Sequence, residues 1–296
     1  MRASLISRNA PEAIGVEFPA RGAASFWQRR KLRKIPLRLL VDQKFLLAVA
    51  AALLAAVYFF FVADPIVMAA AKTLPAWVVD IFRPITRLGY GGYWLWPTGI
   101  LLLLLLAVQR LRLDGLARAT NAMLIVRVSL LFWAVAIPGL ISALAKGLIG
   151  RTRPMLHAKT AIEFDPLTLR AAAESFPSGH TTVAFAVATV LGILMPRFRL
   201  AFYVLAVLAG LSRIVLRVHY PSDAIAGALV GVVFASLVVR AFAARRLSLA
   251  VALDGTVKPK PMPRIGRLSA LAASILATLR GRNPARPVRS GEIQDL

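Results

Sequence analysis

From Phe45 onward the chain is a succession of apolar runs, each close to the length that carries a helix across a bilayer. A helix rises 1.5 Å per residue, so about 20 apolar residues cross a hydrocarbon core ~30 Å thick. The first run is Phe45–Ala63, and Asp64 with Pro65 is expected to close it. Five more follow at Tyr93–Val108, Ala122–Ala145, Gly179–Met195, Leu200–Leu216 and Ala224–Val239, each flanked by charge or proline. The pattern predicts an all-α polytopic membrane protein with a six-transmembrane-helix bundle. Trp94, Trp96, Tyr90 and Tyr93 gather at the start of the second run, where an interfacial aromatic belt and ordinary packing are both open readings.

Between the runs the chain is basic, so that 58% hydrophobic residues coexist with a net charge of +24. Such a charge often marks a nucleic-acid binder, but here the cations separate runs of spanning length, which excludes that class. Six spans return both termini to one side of the membrane. That side collects 26 Lys and Arg, counting the arm, the Arg110–Arg118 and Arg197–Arg199 loops and everything from Arg240, against 10 on the other, with Arg127 left out as intramembrane. The positive-inside rule therefore places both termini in the cytoplasm of a multi-pass protein of a bacterial inner membrane, with the opposite loops periplasmic. The expected organisation is a basic N-terminal arm over 1–44, a membrane domain over 45–240 and a Pro- and Arg-rich cytoplasmic tail over 241–296. The arm is too long before its first apolar run to be a signal peptide. In the tail, Ile265, Leu268, Ala272, Ile275 and Leu279 recur at helical spacing, leaving a surface-lying amphipathic helix and plain disorder both open.

The absence of cysteine removes disulfide, thiolate and zinc–thiolate chemistry. Only His157, His180 and His219 and 13 scattered acids remain as other metal ligands, so neither a metal nor another cofactor is expected. Three polar clusters interrupt the apolar pattern, each where a span meets the periplasmic face. Lys146 to Pro154 closes the third span with Lys146, Arg151 and Arg153; taken alone, these are ordinary headgroup-facing cations at a helix end. Pro177-Ser178-Gly179-His180 opens the fourth, offering an anion the free N–H groups of a helix start and a glycine that permits close approach. Ser212 to Asp223 joins the fifth to the sixth with Arg213 and His219, and Asp223 stands four residues after His219. A sixth helix beginning near Pro221 would let that carboxylate accept a hydrogen bond from one ring nitrogen and leave the other as a nucleophile. The topology puts all three clusters on one face, and the set suits metal-free phosphoryl transfer through a phosphohistidine.

These residues resemble the signature of the type 2 phosphatidic-acid phosphatase family, K-x6-R-P, P-S-G-H and S-R-x5-H-x3-D, in order and over about residues 45 to 240. The resemblance implies that His219 takes the phosphoryl group, that Asp223 fixes its tautomer, and that His180 protonates the leaving group and then activates water. It further implies that Lys146, Arg153, Arg213, Ser178 and the Gly179 N–H hold the phosphate oxygens. The partner is then a lipid phosphate in the membrane: undecaprenyl diphosphate, phosphatidic acid, phosphatidylglycerol phosphate or lipid A. Arg151, Lys159 and Arg217, outside the signature, are expected to face headgroups, and His157 to be a surface or lid residue of the Met155–Phe176 loop. A soluble vanadate-dependent haloperoxidase shares such a site but not six spans; a phosphotransferase or a non-catalytic lipid-binding or transport protein of the same fold are the alternatives. A channel would need polar residues along the spans, which Leu101–Leu106 and Val183–Leu194 do not provide. The sequence does not indicate an oligomeric state.

Overall fold

A computed structural model of the protein describes residues 43–155, 163–167, 174–251, 256–261 and 263–284. The basic arm up to residue 42, and His157, Lys159 and Arg170, lie outside the described residues. Helix α1 (Gln43–Tyr58) passes through one π-helical turn (Phe59–Ala63) into α2 (Asp64–Lys72). Asp64 and Pro65 therefore do not close the first span. Pro65 sits in the first turn of α2, directly after the π turn, and the rod runs on over Leu46–Lys72. The π turn re-phases the helix so that Asp64 points into the bundle, fully buried.

After α3 (Ala76–Ile85) and a 3₁₀ turn (Thr86–Gly89), α4 (Gly92–Val108) descends, and the turn at 109–114 leads into the 35-residue α5 (Gly115–Ile149). Asp114 caps α5 by accepting a 2.8 Å bond from the Ala117 N–H. The bundle is completed by α6 (Gly179–Leu194), α7 (Arg199–Val215) and α8 (Pro221–Ala244). Among the described residues, five stretches are long and apolar enough to cross a membrane: Leu46–Lys72, Ala76–Val108, Gly115–Ile149, Pro196–Val215 and Pro221–Ala244. The sixth apolar helix, α6, has 16 residues, about 24 Å at 1.5 Å per residue. It sits against α5, α7, α8 and the Thr86–Gly89 turn, so its surface meets protein where the other helices meet lipid.

Small residues let the helices around α6 approach closely, as membrane interfaces require when hydrophobic burial cannot drive association. Ala184 and Ala188 of α6 face Ala206 and Ala209 of α7. On α8, a β-carbon added at Gly227 would come within 2.5 Å of the Ser178 carbonyl oxygen, so that contact demands glycine. Leu130 and Ala134 of α5, Ala186 and Val190 of α6 and Ala235, Val238 and Val239 of α8 form the largest core cluster. Large apolar side chains of α1, the π turn and α4, among them Leu54, Phe61, Leu103 and Leu104, point outward as a lipid-facing surface does.

Beyond α8 the described tail is structured. A short antiparallel hairpin, β1 (Leu249–Val251) with β2 (Val257–Pro259), adds Leu249 to the core cluster. Helix α9 (Ile265–Leu279) then packs on the start of α5. Between hairpin and helix the chain crosses the intramembrane Arg127, whose Nη2 donates to the carbonyls of Lys260 and Pro261.

Candidate active site

The three polar clusters meet at one end of the bundle. Helix α5 ends on Gly150, whose left-handed backbone (φ 64°) lets its N–H bond back to the Lys146 carbonyl at 2.9 Å. A β-carbon at Gly150 would collide with the Asp165 carbonyl. Gly150→Ala is therefore expected to cost at least about 1–2 kcal/mol, the penalty for an L-residue in the left-handed region, seen as a lower thermal midpoint in detergent. The next residues form an extended edge: Arg151 bridges Phe164, Thr152 N–H donates to the Glu163 carbonyl, and Ser175 N–H donates to the Arg151 carbonyl.

This turn aims Arg151 into the protein, contrary to the expectation of a headgroup-facing charge. Its guanidinium is fully buried and forks between two carboxylates, with Nη1 2.5 Å from Asp223 Oδ1 and Nη2 2.7 Å from Asp64 Oδ2. Nη1 also donates to Ser222 Oγ at 2.7 Å, while the Phe60 and Tyr220 rings lie 4.6 and 4.0 Å from the guanidinium carbon. Asp64 in turn accepts from Ser222 N–H and Oγ at 2.9 and 2.5 Å. A charge buried away from water is tolerated only when paired and hydrogen-bonded, and here both conditions hold. Arg217, by contrast, is exposed as expected.

Asp223 lies in the first turn of α8, which does begin at Pro221. Its Oδ2 accepts from Ser175 Oγ at 2.5 Å and from Tyr220 N–H at 2.8 Å. His219 Nδ1 stands 3.6 Å from the same oxygen, longer than a hydrogen bond, and has no partner among the described residues. The expected histidine–aspartate bond is thus replaced in this resting geometry by bonds from Ser175 and Tyr220. Burial pushes the His219 imidazole down to about 4; Asp223 pulls the other way, and Arg213 and Lys146 add to the fall. The ring is therefore neutral at pH 7 and keeps a lone pair available on its remaining nitrogen.

Around this buried imidazole stand half-buried cations. Lys146, Arg153, Arg213 and His180 are within electrostatic range of one another, and His180 of His219. Lys146 Nζ donates to the Glu174 carbonyl at 3.2 Å, and Arg213 Nη1 to Thr86 Oγ1 at 2.6 Å. The Nε groups of Arg153 and Arg213 and the hydroxyl of Ser142 are buried with no partner among the described residues. Unspent donors beside three cations are the kind of group that an anion with several oxygens can pair with. Ser178 is buried at the start of α6; its N–H donates to the Asp223 carbonyl at 3.0 Å and its Oγ accepts from Thr181 Oγ1 at 2.9 Å, so it locks α6 to α8. Gly179 passes Lys146 and Ser142 at van der Waals distance from the position a β-carbon would take. Among the described residues no three His, Cys, Asp or Glu side chains converge as metal ligands would.

Ser142, Ser175 and Thr86 carry no signal in the sequence that would have found them, and Asp64, Ser222 and Tyr90 are visible there only as a span end, a helix start and an aromatic group. Tyr90, in the aromatic group at the start of the second run, places its ring 6.2 Å from that of His180.

The family model described as the PAP2 superfamily matches residues 127–247, a range that contains every residue of the three clusters. Over 126 residues the chain is 40% identical to the lipid A 1-phosphatase of Rhizobium johnstonii, covering 42% of this chain and 52% of that protein. The lipid A 1-phosphatase of Rhizobium etli is likewise 40% identical over 126 residues, covering 42% and 54%. The chain thus spans about half the length of these curated relatives. Among solved structures, the transmembrane PAP2-type phosphatidylglycerolphosphate phosphatase of Bacillus subtilis aligns at 24% identity and TM-score 0.42, over 64% of this chain and 93% of that one. The PAP2 range starts inside α5 and ends just after α8, so Asp64, which anchors Arg151, comes from a helix outside it.

Proposed function

We propose that the protein is a membrane lipid phosphatase that cleaves the phosphate of a lipid headgroup through a phosphohistidine on His219. The observation that carries this reading is the buried, neutral His219 set beside Lys146, Arg153 and Arg213, whose unspent donors can hold the oxygens of a transferring phosphoryl group. His219 Nδ1 faces Asp223, so Nε2 attacks phosphorus as the bond from phosphorus to the lipid oxygen breaks. The ring gains positive charge in this step, which Asp223 stabilises by closing the 3.6 Å gap to Nδ1–H. His180, protonated once the charge of the bound phosphate offsets the surrounding cations, gives its proton to the departing oxygen, then takes one from the water that attacks the phosphohistidine, releasing phosphate and restoring both rings. Ser178 and the Gly179 N–H are assigned to the same phosphate. No metal enters these steps.

The 40% identity to lipid A 1-phosphatases favours the 1-phosphate of lipid A as substrate, ahead of undecaprenyl diphosphate, phosphatidic acid and phosphatidylglycerol phosphate. The excess of Lys and Arg on the side of the termini supports a cytoplasmic arm (1–44) and tail (241–296), with the catalytic span region (45–240) opening to the periplasm of a bacterial inner membrane. The deciding experiment is phosphate release by the purified full chain from these four lipids in EDTA. Release, greatest from lipid A, is expected; silence across the panel would favour transfer to another acceptor or binding without turnover. His180→Ala is expected to slow phosphate monoesters by on the order of 10²–10⁴-fold, the usual size of general acid–base catalysis. A diphosphate, whose leaving group needs its proton less, is expected to slow least. An equal loss across both substrate types would remove His180 from the role of acid.

A further inference from the structure

Helix α9 is fastened to the bundle along one face. Leu271 packs with Leu113 and Ala117, flanked by Val108, Leu124 and Ile275. Ser274 Oγ accepts from the Asp114 N–H at 3.2 Å, and Thr278 Oγ1 donates to the Arg112 carbonyl at 2.8 Å. These partners belong to the turn between α4 and α5, where two spans leave the bilayer, so the clamp holds α9 at that depth.

At 3.6 residues per turn the rest of α9 divides into two further faces. Ile265, Leu268, Leu276 and Leu279 are 85, 40, 52 and 69% exposed and, with Ala272, form an apolar stripe beside the packed face. Gly266, Ala273 and Ala277 form a side of small residues, and Ser269 lies at the edge of the stripe. Exposed arginines stand at both ends, Arg264 and Arg267 before, Arg280 and Arg282 after. In water such a stripe would be an aggregation surface. At the level of the α4–α5 turn it continues the lipid-facing surface of Leu106 and Leu116, with its cations at the height of the phosphates.

We propose that α9 is an interfacial helix that sinks its Ile265–Leu279 stripe into the leaflet on the α4–α5 side and binds anionic phospholipid through its four arginines. This surface stands apart from the phosphate site and does not depend on the proposed activity.

The chain has no cysteine, so a single nitroxide can be placed without background at Leu276→Cys or at Gly266→Cys, where an added β-carbon meets nothing within 4 Å. In vesicles of phosphatidylglycerol and phosphatidylethanolamine, the label at 276 is expected to collide several-fold more with oxygen than with an aqueous nickel chelate, and the label at 266 the reverse. Phosphatidylcholine vesicles, or Gln at Arg264, Arg267, Arg280 and Arg282 together, are expected to shift the 276 label toward water. A 276 label as open to nickel as the 266 label overturns the proposal. So does one shielded from both reagents, which would mark a protein partner, or a depth indifferent to lipid charge and to the arginines. Unchanged thermal midpoints of the labelled variants establish that α9 is still docked.

Discussion

Replacing Arg151 by alanine is expected to remove most of the stability of the bundle. The substitution leaves Asp64 and Asp223, both fully buried, without the guanidinium that now forks between them. Breaking a buried ion pair from one side costs about 3–5 kcal/mol, a large share of the ~5–15 kcal/mol by which most domains are stable. Arg151→Lys is expected to recover only part of the loss, because one ammonium cannot present two Nη groups to two carboxylates in fixed geometry. Asp64→Asn combined with Arg151→Ala is expected to be more stable than Arg151→Ala alone, since it removes one of the stranded charges. Thermal midpoints in detergent, measured for all three, decide the matter. A midpoint for Arg151→Ala equal to that of the parent would show that the carboxylates do not depend on it.

The second large effect is chemical. His219→Ala is expected to lower phosphate release by on the order of 10⁴-fold or more, the scale on which removal of a covalent nucleophile acts. The fold is expected to persist, because Asp223 stays held by Arg151, Ser175 and the Tyr220 N–H. With a lipid phosphate carrying ³²P, the parent is expected to hold label that is lost in acid and stable in base, and His219→Ala to hold none. Turnover by the variant at a rate near that of the parent would move the nucleophile elsewhere.

The two predictions differ in how far the sequence anticipated them. His219, His180, Asp223 and the cations sit in short local patterns at the ends of apolar runs, and helix geometry alone gathers such ends on one face. The spans were legible for the same reason, because lipid imposes their length and polarity. Arg151 was legible as a cation and misread as a surface one. Its partners lie 71 to 87 positions away, and no local spacing encodes a bond that exists only once α2, α5 and α8 have packed. Asp64 next to Pro65 looked like the end of a span because acid and proline usually are one; a single π turn and a proline within the first turn of α2 carry the helix past them. In the tail the apolar spacing of α9 was visible, but that its packed face is centred on Leu271, Ser274 and Thr278 follows from the α4–α5 turn it meets.

The Arg127 contacts bear on how such a protein comes to be made. Arg127 enters the membrane within the third span, while the Lys260 carbonyl that receives its Nη2 lies 133 residues later. A ribosome working from the N-terminus delivers that acceptor after the last span has been threaded. Two of the bonds that settle this cation in the bundle therefore close only after α8 has been made, and the tail, though outside the PAP2 range, completes the assembly of the helix that carries Lys146.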